Sequence, residues 1–591
     1  MNDMASGARL RPVEERRFTT HDGVELFYRH WPALSGPARG AVALFHRGHE
    51  HSGRMAHLAD ELALPDLAFF AWDARGHGRS PGERGDAPGF MALVRDVDAF
   101  VGHLRAVHGV ATEELGIVAQ SVGAVAVTAW VHDYAPPLRA MVLASPAFRV
   151  KLYVPFALAG LALARKLRGN FFVQSYVKAR FLTRDPGRIA SYDTDPLLSK
   201  QISVNVLLGL QEAADRVVAD AAAITVPTQL LVSGADWVVE HAPQHRFFER
   251  LGATTKERHV LHGFLHDTLG ERDRVRAVGL AHDFLVRAFA TPLARLDLAD
   301  ADRRGHTREE ADALAAPLPR YAPRAWRWAA TRAALRLGAT LADGLRLGRS
   351  SGFDSGNSLD YVYRDRASGR TPLGRAIDRQ YLDAIGWRGI RRRKLDVEAL
   401  LRDAAERLRT AGMAVNVLDV AAGHGRYVLD AFDGGAAADA IVLRDLDAGN
   451  VAQGRALIAA RAYAGNARFE PGDAFDRAGV AATLPQPTLG VVSGLYELFP
   501  DNAPVRTSLA GLADAIVPGG YLVYTGQPWH PQLELIARAL TSHRQGGAWV
   551  MRRRTQQELD QLVAAAGFRK VAQRIGESGI FTVSLAQRVA P

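Results

Sequence analysis

The chain has no cysteine. That excludes disulfide frameworks, cysteine-ligated zinc, iron–sulfur clusters and a cysteine nucleophile. It also lacks any apolar run long enough to span a bilayer; the longest, residues 152–164, contains Pro155 and Gly160 and ends at Arg165 and Lys166. The segment from Met1 to Phe18 carries charges throughout and has no apolar centre, so it does not read as a secretory signal. A cytoplasmic protein is the expectation. Charge of one sign is only mildly in excess, 73 basic against 63 acidic residues for a net +10. The arginines are spread along the chain and do not cluster with aromatics, so no nucleic-acid partner is expected. A weak attraction to anionic lipid, and with it peripheral association at the inner membrane surface, stays open.

What is present is an ordinary globular balance, 48% hydrophobic and 23% charged in 591 residues. This length suits roughly three to five domains, or two large ones. From 17 to 290, short apolar strands at 41–45, 68–72, 115–119, 140–144 and 229–233 alternate with helical stretches, the mark of a parallel sheet. From 291 to 394 the strands stop and the chain reads as helical. From 395 to 591 the alternation resumes, with strands at 416–420, 440–444, 489–493 and 521–525. The halves share a layout but no motif, so they are not repeats.

In the first half, Ala119-Gln120-Ser121-Val122-Gly123 sits between a buried strand and an apolar helix. A serine on such a tight strand-to-helix turn needs small neighbours and is exposed as a nucleophile elbow; alternatively Ser121 simply caps the helix. The loop Phe45-His46-Arg47-Gly48-His49-Glu50-His51-Ser52-Gly53-Arg54 follows an earlier strand and can aim a backbone N–H at an oxyanion. A turn-rich loop, Asp73-Ala74-Arg75-Gly76-His77-Gly78, follows the next one. Asp236 and His266 each follow a late strand, giving the chain order Ser, Asp, His. On these residues the segment 17–290 resembles the monoacylglycerol lipase and lysophospholipase branch of the α/β-hydrolases. The resemblance implies Ser121 as nucleophile, His266 as general base, Asp236 as its orienter, and the backbone N–H groups of Gly48 and Val122 as oxyanion hole. Arg47 and Gln120 depart from that pattern, as does Ala119. His262, four residues before His266, is the competing base. The histidines His46, His49, His51 and His57 read as part of the oxyanion loop, with a metal site as the alternative, and no metal is expected. Residues 146–200 take the place of a cap, with an apolar set including Leu152, Tyr153, Phe156, Leu161 and Phe172 that suits an acyl chain or packs on the core.

In the second half, Asp419-Val420-Ala421-Ala422-Gly423-His424-Gly425 carries a strand into a glycine loop and a helix. Glycines there let the backbone approach a nucleoside closely. Val428 stands where a dinucleotide fingerprint needs a small residue, which speaks against NAD or FAD. The run resembles motif I of the Rossmann-like class I methyltransferases that use S-adenosylmethionine. That resemblance implies cofactor binding by Asp419, Ala421, Gly423 and Gly425, ribose binding by Asp445 with Asp447 as alternative, and adenine binding by Asp473 and Ala474 with Phe475 against the ring. More narrowly, the chain resembles a bacterial methyltransferase family often fused to a hydrolase. Glu497, after the fourth strand, and His530, after the fifth, are the candidate bases at a methyl-acceptor site whose acceptor is unidentified. Tyr361, Tyr363, Asp378 and Tyr381 precede this core where a lid over the cofactor is expected.

The expectation is an α/β protein with an α/β-hydrolase domain at 17–290, its cap at about 146–200, a helical linker and methyltransferase extension at 291–394, and a methyltransferase domain at 395–591. Its function would be bifunctional: a serine esterase of the monoacylglycerol lipase or lysophospholipase kind, acting on a small-molecule or lipid ester, joined to a methyl transfer on an unknown acceptor. The alternative is that one half is catalytic and the other a SAM- or lipid-binding module. Residues 324–346 read as one basic amphipathic helix, either lying on an anionic membrane or docking between domains.

Overall fold

The computed structural model describes residues 11–433, 438–461, 465–544 and 547–590. The chain forms two units, Met1–Leu296 and Asp297–Pro591. In the first, strands β1 (Glu14–Thr19), β2 (Glu25–Trp31), β3 (Gly40–Phe45), β4 (Leu67–Trp72), β5 (Leu115–Gln120), β6 (Ala140–Ala144), β9 (Thr228–Ser233) and β10 (Lys256–Leu261) make one sheet in the order β1-β2-β4-β3-β5-β6-β9-β10. β1 and β2 pair antiparallel, as do β2 and β4; the rest are parallel. The central strands are buried along their whole length because helices cover both faces, which is why they read as continuous apolar runs. One side of the core joins Val42, Leu44, Val118 and Val142 to Phe284 and Leu285 of the helix Val275–Ala290. Between β6 and β9 the chain builds a cover from the helix Ala157–Arg168, the antiparallel pair β7 (Phe172–Gln174) and β8 (Gln201–Ser203), and the helix Pro186–Tyr192.

The second unit opens with the helices His306–Ala315, Pro323–Gly338, Asp343–Ser351, Gly356–Arg364, Pro372–Leu382 and Ile385–Thr410. The last runs through position 395, because Val397, Leu400, Leu401, Ala404 and Leu408 form one buried face against the sheet core. Strands β11 (Asn416–Val420), β12 (Ala440–Asp445), β13 (Ala467–Pro471), β14 (Leu489–Val492), β15 (Tyr521–Gly526), β16 (Phe568–Ile575) and β17 (Thr582–Arg588) then form a sheet in the order β13-β12-β11-β14-β15-β17-β16. Only β17 runs against its neighbours β15 and β16. The order reverses between β11 and β14, and the crevice beyond the strand ends at such a point is where α/β sheets place ligands. Among the described residues no helix is long and apolar enough to cross a membrane.

The expected helix over 324–346 is two helices with a break between Gly338 and Asp343. Trp328 is buried, with its indole N–H donated to Glu534 (2.9 Å). Arg324 donates to the same carboxylate (2.7 Å) and Arg332 to the Arg538 carbonyl (2.8 Å). The segment is therefore built into its own unit along this face, and its cations there are already engaged.

Candidate active sites

In the first unit the tight turn after β5 puts Ser121 at φ +54°. A Cβ at Gly123 would stand 2.4 Å from the His46 carbonyl oxygen, so only glycine lets the helix Ser121–Tyr134 approach the preceding loop. Ser121 Oγ lies 2.8 Å from His266 Nε2, and His266 Nδ1 lies 2.8 Å from Asp236 Oδ2. A carboxylate only accepts, so Nδ1 carries the proton and Nε2 is left to accept from the serine hydroxyl. Asp236 Oδ1 takes the backbone N–H groups of Val238 (2.7 Å) and Val239 (3.1 Å). Burial pushes the Asp236 carboxyl up, but His266 and these amides outweigh it and hold it below its ordinary value. Gly48 and Val122 meet beside the serine: a Cβ on Gly48 would be 2.9 Å from Val122 Cγ2. His262 is exposed, so of the two candidate bases it is His266 that reaches Ser121.

These groups open into a cavity of about 220 Å³ whose wall includes Leu152, Leu161, Val206, Leu207 and Leu210. Of the apolar cap residues, Leu152 and Leu161 face this space, whereas Tyr153 and Phe156 are exposed. Three of the four loop histidines turn to separate partners, while His49 Nδ1 is buried without one. His46 donates to the Arg47 carbonyl (2.7 Å) and accepts from Ala74 N–H (3.0 Å), His51 pairs with Asp195 (3.0 Å), and His57 bonds the Leu269 carbonyl (2.8 Å).

The departures from the lipase pattern form a support that sequence reasoning missed. Gln120 donates to Asp267 Oδ1 (3.0 Å) and accepts from Leu269 N–H (3.3 Å), joining the elbow to the loop that carries His266. Arg188 donates to Asp267 Oδ2 (2.8 Å), while Arg47 and Arg54 both bind Glu50 Oε1 (2.8 and 2.9 Å). Burial favours the neutral Asp267 carboxyl, but Arg188 and Arg47 hold it well below the usual carboxylate range. No local pattern reveals the Gln120–Asp267 and Arg188–Asp267 pairs, because their members are far apart in the chain.

In the second unit the glycine loop follows β11, with Ala421, Gly423 and Gly425 at φ +58°, +60° and +71°. A Cβ at Gly425 would strike Leu443 Cδ1 at 2.4 Å, so this position requires glycine. Asp445 ends β12 and faces the loop. Its Oδ2 accepts from Gly423 N–H (2.8 Å), and its Oδ1 from Asp447 N–H (2.9 Å) and Asn450 Nδ2 (3.0 Å). Asp447 caps the helix Ala448–Ala460 through Asn450 N–H (2.8 Å), which leaves Asp445 as the carboxylate at the loop. Gly472 N–H bonds the Asp445 carbonyl (3.0 Å) and so brings Asp473 and Ala474 alongside; Asp473 is exposed, Ala474 is buried, and Phe475 stands edge-on to Phe499. Asp419 is fully buried beneath the loop and neither carboxylate oxygen has a hydrogen-bond partner. Burial pushes its carboxyl far up, and the Asp445 charge adds to the rise. The loop thus combines backbone open to close approach with one acidic side chain at its rim and a second beneath it, the polar groups that would hold a nucleoside. The helix Gly356–Arg364 lies over this loop, with Asp360 receiving Arg426 Nε (2.6 Å), and a small cavity of about 40 Å³ remains between them.

Glu497 and His530 line a much larger cavity, about 750 Å³, that also touches Gly494 after β14. Glu497 Oε1 accepts from Thr525 (3.1 Å) and lies 3.7 Å from Arg393 Nη1. His530 Nδ1 accepts from Gln532 N–H (3.0 Å), so its proton is on Nε2; burial lowers its pKa to about 4. Of the expected lid residues, Tyr363 lies beside the glycine loop and Tyr381 lines the large cavity. Tyr361 and Asp378 bond each other. Arg393 was not singled out in the sequence, where it is one of four arginines in the helix Ile385–Thr410 between 388 and 393.

Comparison with known proteins agrees with a two-part chain. A family model described as "Putative methyltransferase" matches residues 281–588, more than half of the chain, and one described as "Serine aminopeptidase, S33" matches 36–273. An Escherichia coli (strain K12) protein called uncharacterized protein YnbC is 54% identical over 575 residues, 97% of this chain and 98% of that one. A Mus musculus monoglyceride lipase is 30% identical over 253 residues, 42% of this chain and 80% of that one. The crystal structure of the Paleococcus ferrophilus monoacylglycerol lipase superposes with a TM-score of 0.40 at 23% identity, over 47% of this chain and 99% of the other.

Proposed function

Because the chain belongs to the family described as "Putative methyltransferase", here carried behind an α/β-hydrolase unit of the monoglyceride lipase type, we propose that it is a two-site enzyme. One site hydrolyses a monoacylglycerol or a similar single-chain ester, and the other transfers a methyl group from S-adenosylmethionine. The observation that carries the first reading is the continuous relay from Ser121 Oγ through His266 to Asp236 at the edge of an apolar cavity.

The chemistry follows from the geometry. Ser121 Oγ attacks the ester carbonyl as His266 Nε2 takes its proton, and Asp236 stabilises the imidazolium that forms. The backbone N–H groups of Gly48 and Val122, with the N-terminus of the helix behind them, face the developing oxyanion. His266 returns the proton to the leaving alcohol. A water then loses its proton to His266 and attacks the acyl-enzyme, releasing the acid and restoring Ser121.

In the second unit Asp445 would bind the ribose hydroxyls, Asp473 and Ala474 the adenine edge, and the turn through Ala421, Gly423 and Gly425 the tail, with Asp419 beneath. When bound, S-adenosylmethionine would supply an electrophilic methyl group for transfer to the acceptor. Glu497 would hold the acceptor and take its proton.

A fluorophosphonate probe and calorimetry with S-adenosylhomocysteine test the two halves separately. The expected results are one covalent adduct, on Ser121, and one binding event. Absence of the adduct sinks the hydrolase reading, and absence of heat sinks the methyl-transfer reading.

A further inference from the structure

The 750 Å³ cavity of the second unit is within the range of small-molecule sites, and its walls are mostly aliphatic and aromatic. Leu335, Leu345, Ile377, Trp387, Ile390 and Phe581 form much of its lining. Two of its aliphatic residues are also open to solvent, Leu337 at 69% exposure and Leu373 at 63%. An apolar surface therefore runs from the outside into the cavity, as a chain entering from a lipid phase needs.

A polar part of the lining, Arg393, Glu497 and His530, lies beside Gly494, at the point where the sheet order reverses. The Arg393 guanidinium packs over the Phe581 ring, 5.0 Å from its centroid, and against Gly494, where a Cβ would be only 2.9 Å from Nη2. Arg393 Nε and Glu497 Oε2 are both buried without a hydrogen-bond partner. Such orphans are rare in folded proteins and costly. One is a donor and the other an acceptor, and a hydroxyl group satisfies both at once.

The local charges narrow the choice of head group. Arg393 is already balanced by Glu497, and Asp354, which also lines the cavity, is paired with His543 (3.1 Å). His530 is held neutral by burial and adds no positive charge. No surplus cation lines this end among the described residues, so a buried carboxylate or phosphate would be uncompensated.

We infer that this cavity binds a single-chain neutral lipid, with its hydroxyl end between Arg393 and Glu497 and its chain along the wall formed by Leu335, Leu345 and Trp387. As the identity of the methyl acceptor, this rests on the methyl-transfer reading above.

The test is photocrosslinking with a long-chain primary alcohol that carries a diazirine in the chain and a terminal alkyne. The full chain is used with Ser121→Ala, so that ester competitors survive. Adducts are mapped by peptide mass spectrometry. The expected adducts fall on peptides spanning 335–345 and 377–390, and dodecanol or 1-monolauroylglycerol suppresses them at least tenfold more effectively than laurate. Adding Glu497→Gln leaves Arg393 unbalanced, so laurate should gain at least tenfold as a competitor. Lack of adducts on these peptides overturns the lipid cavity, and laurate competing as well as the alcohol overturns the neutral head group. Should Glu497→Gln fail to fold, competition in the chain bearing only Ser121→Ala decides. Adducts with the expected preference, in a protein that gives no heat with S-adenosylhomocysteine, support the lipid site and overturn the methyl-transfer reading instead.

Discussion

Gln120 Nε2 donates to Asp267 Oδ1 at 3.0 Å, so the residue before Ser121 is bonded to the residue after His266. The distance between Ser121 and His266 is thereby fixed from both sides. Gln120→Ala removes a buried hydrogen bond to a charged group, worth about 1.5–3 kcal/mol. The expected result is an esterase kcat lower by about tenfold or more with KM little changed, since the side chain touches the loop and not the substrate. Steady-state kinetics on a p-nitrophenyl ester checks this; an unchanged kcat would show that Arg188 alone positions Asp267.

The two chemistries are expected to separate. Ser121→Ala deletes the acylated oxygen, and ester hydrolysis should fall by at least about a thousandfold, while affinity for S-adenosylhomocysteine stays the same. Asp445→Ala should weaken that affinity at least about tenfold and leave the esterase intact. Both activities measured in both variants decide it. Loss of both functions from either change in a folded protein would mean a single composite site.

Acid is expected to destabilise the first unit well above the carboxylate range. Burial lowers the pKa of His46, and brings that of His49 to about 4 and that of His77 to about 3. Unfolded histidine titrates near ~6.5. As pH falls from there, the unfolded chain takes up protons that the folded unit refuses, so stability is lost on acidification and is full above that range. His132, raised by Asp133 and Asp220 against the effect of its burial, works the other way. The melting temperature should be several degrees lower at pH 5 than at pH 7.5, and His46→Gln should reduce the difference. A flat profile would contradict the buried neutral histidines.

Gly494 has φ +76°, and a Cβ there would press on the Arg393 guanidinium. Gly494→Ala is expected to cost about 1–3 kcal/mol from the backbone conformation alone, and to weaken S-adenosylhomocysteine binding without changing ester hydrolysis. Differential scanning calorimetry and titration check the two parts; full stability with normal binding would show that the guanidinium can move aside freely.

Much of this protein is determined by local sequence. The buried strands are apolar along their length because both faces of each sheet are covered, so β3, β5, β11 and β15 are legible without a structure. The serine elbow and the glycine loop are legible too, because a tight turn demands small residues at fixed spacing. Among the strands that escaped reading are the edge strands β1, with Glu14, Glu15, Arg16 and Arg17, and β13, with Arg468 and Glu470. An edge strand is half solvated and is protected by charge, so it carries no apolar run. Only tertiary structure decided which of two nearby residues faces each candidate site. His266 rather than His262 turns inward, and Asp445 faces the glycine loop while Asp447 caps a helix. Tertiary structure also brought Gln120 to Asp267 and Arg393 to Glu497, and enclosed the apolar cavity around the latter pair. Their sequence separations exceed a hundred residues, and spacing and periodicity report only on neighbours within a turn or a strand. Contacts of that range exist only once the order of strands in the sheet has set which loops share an edge.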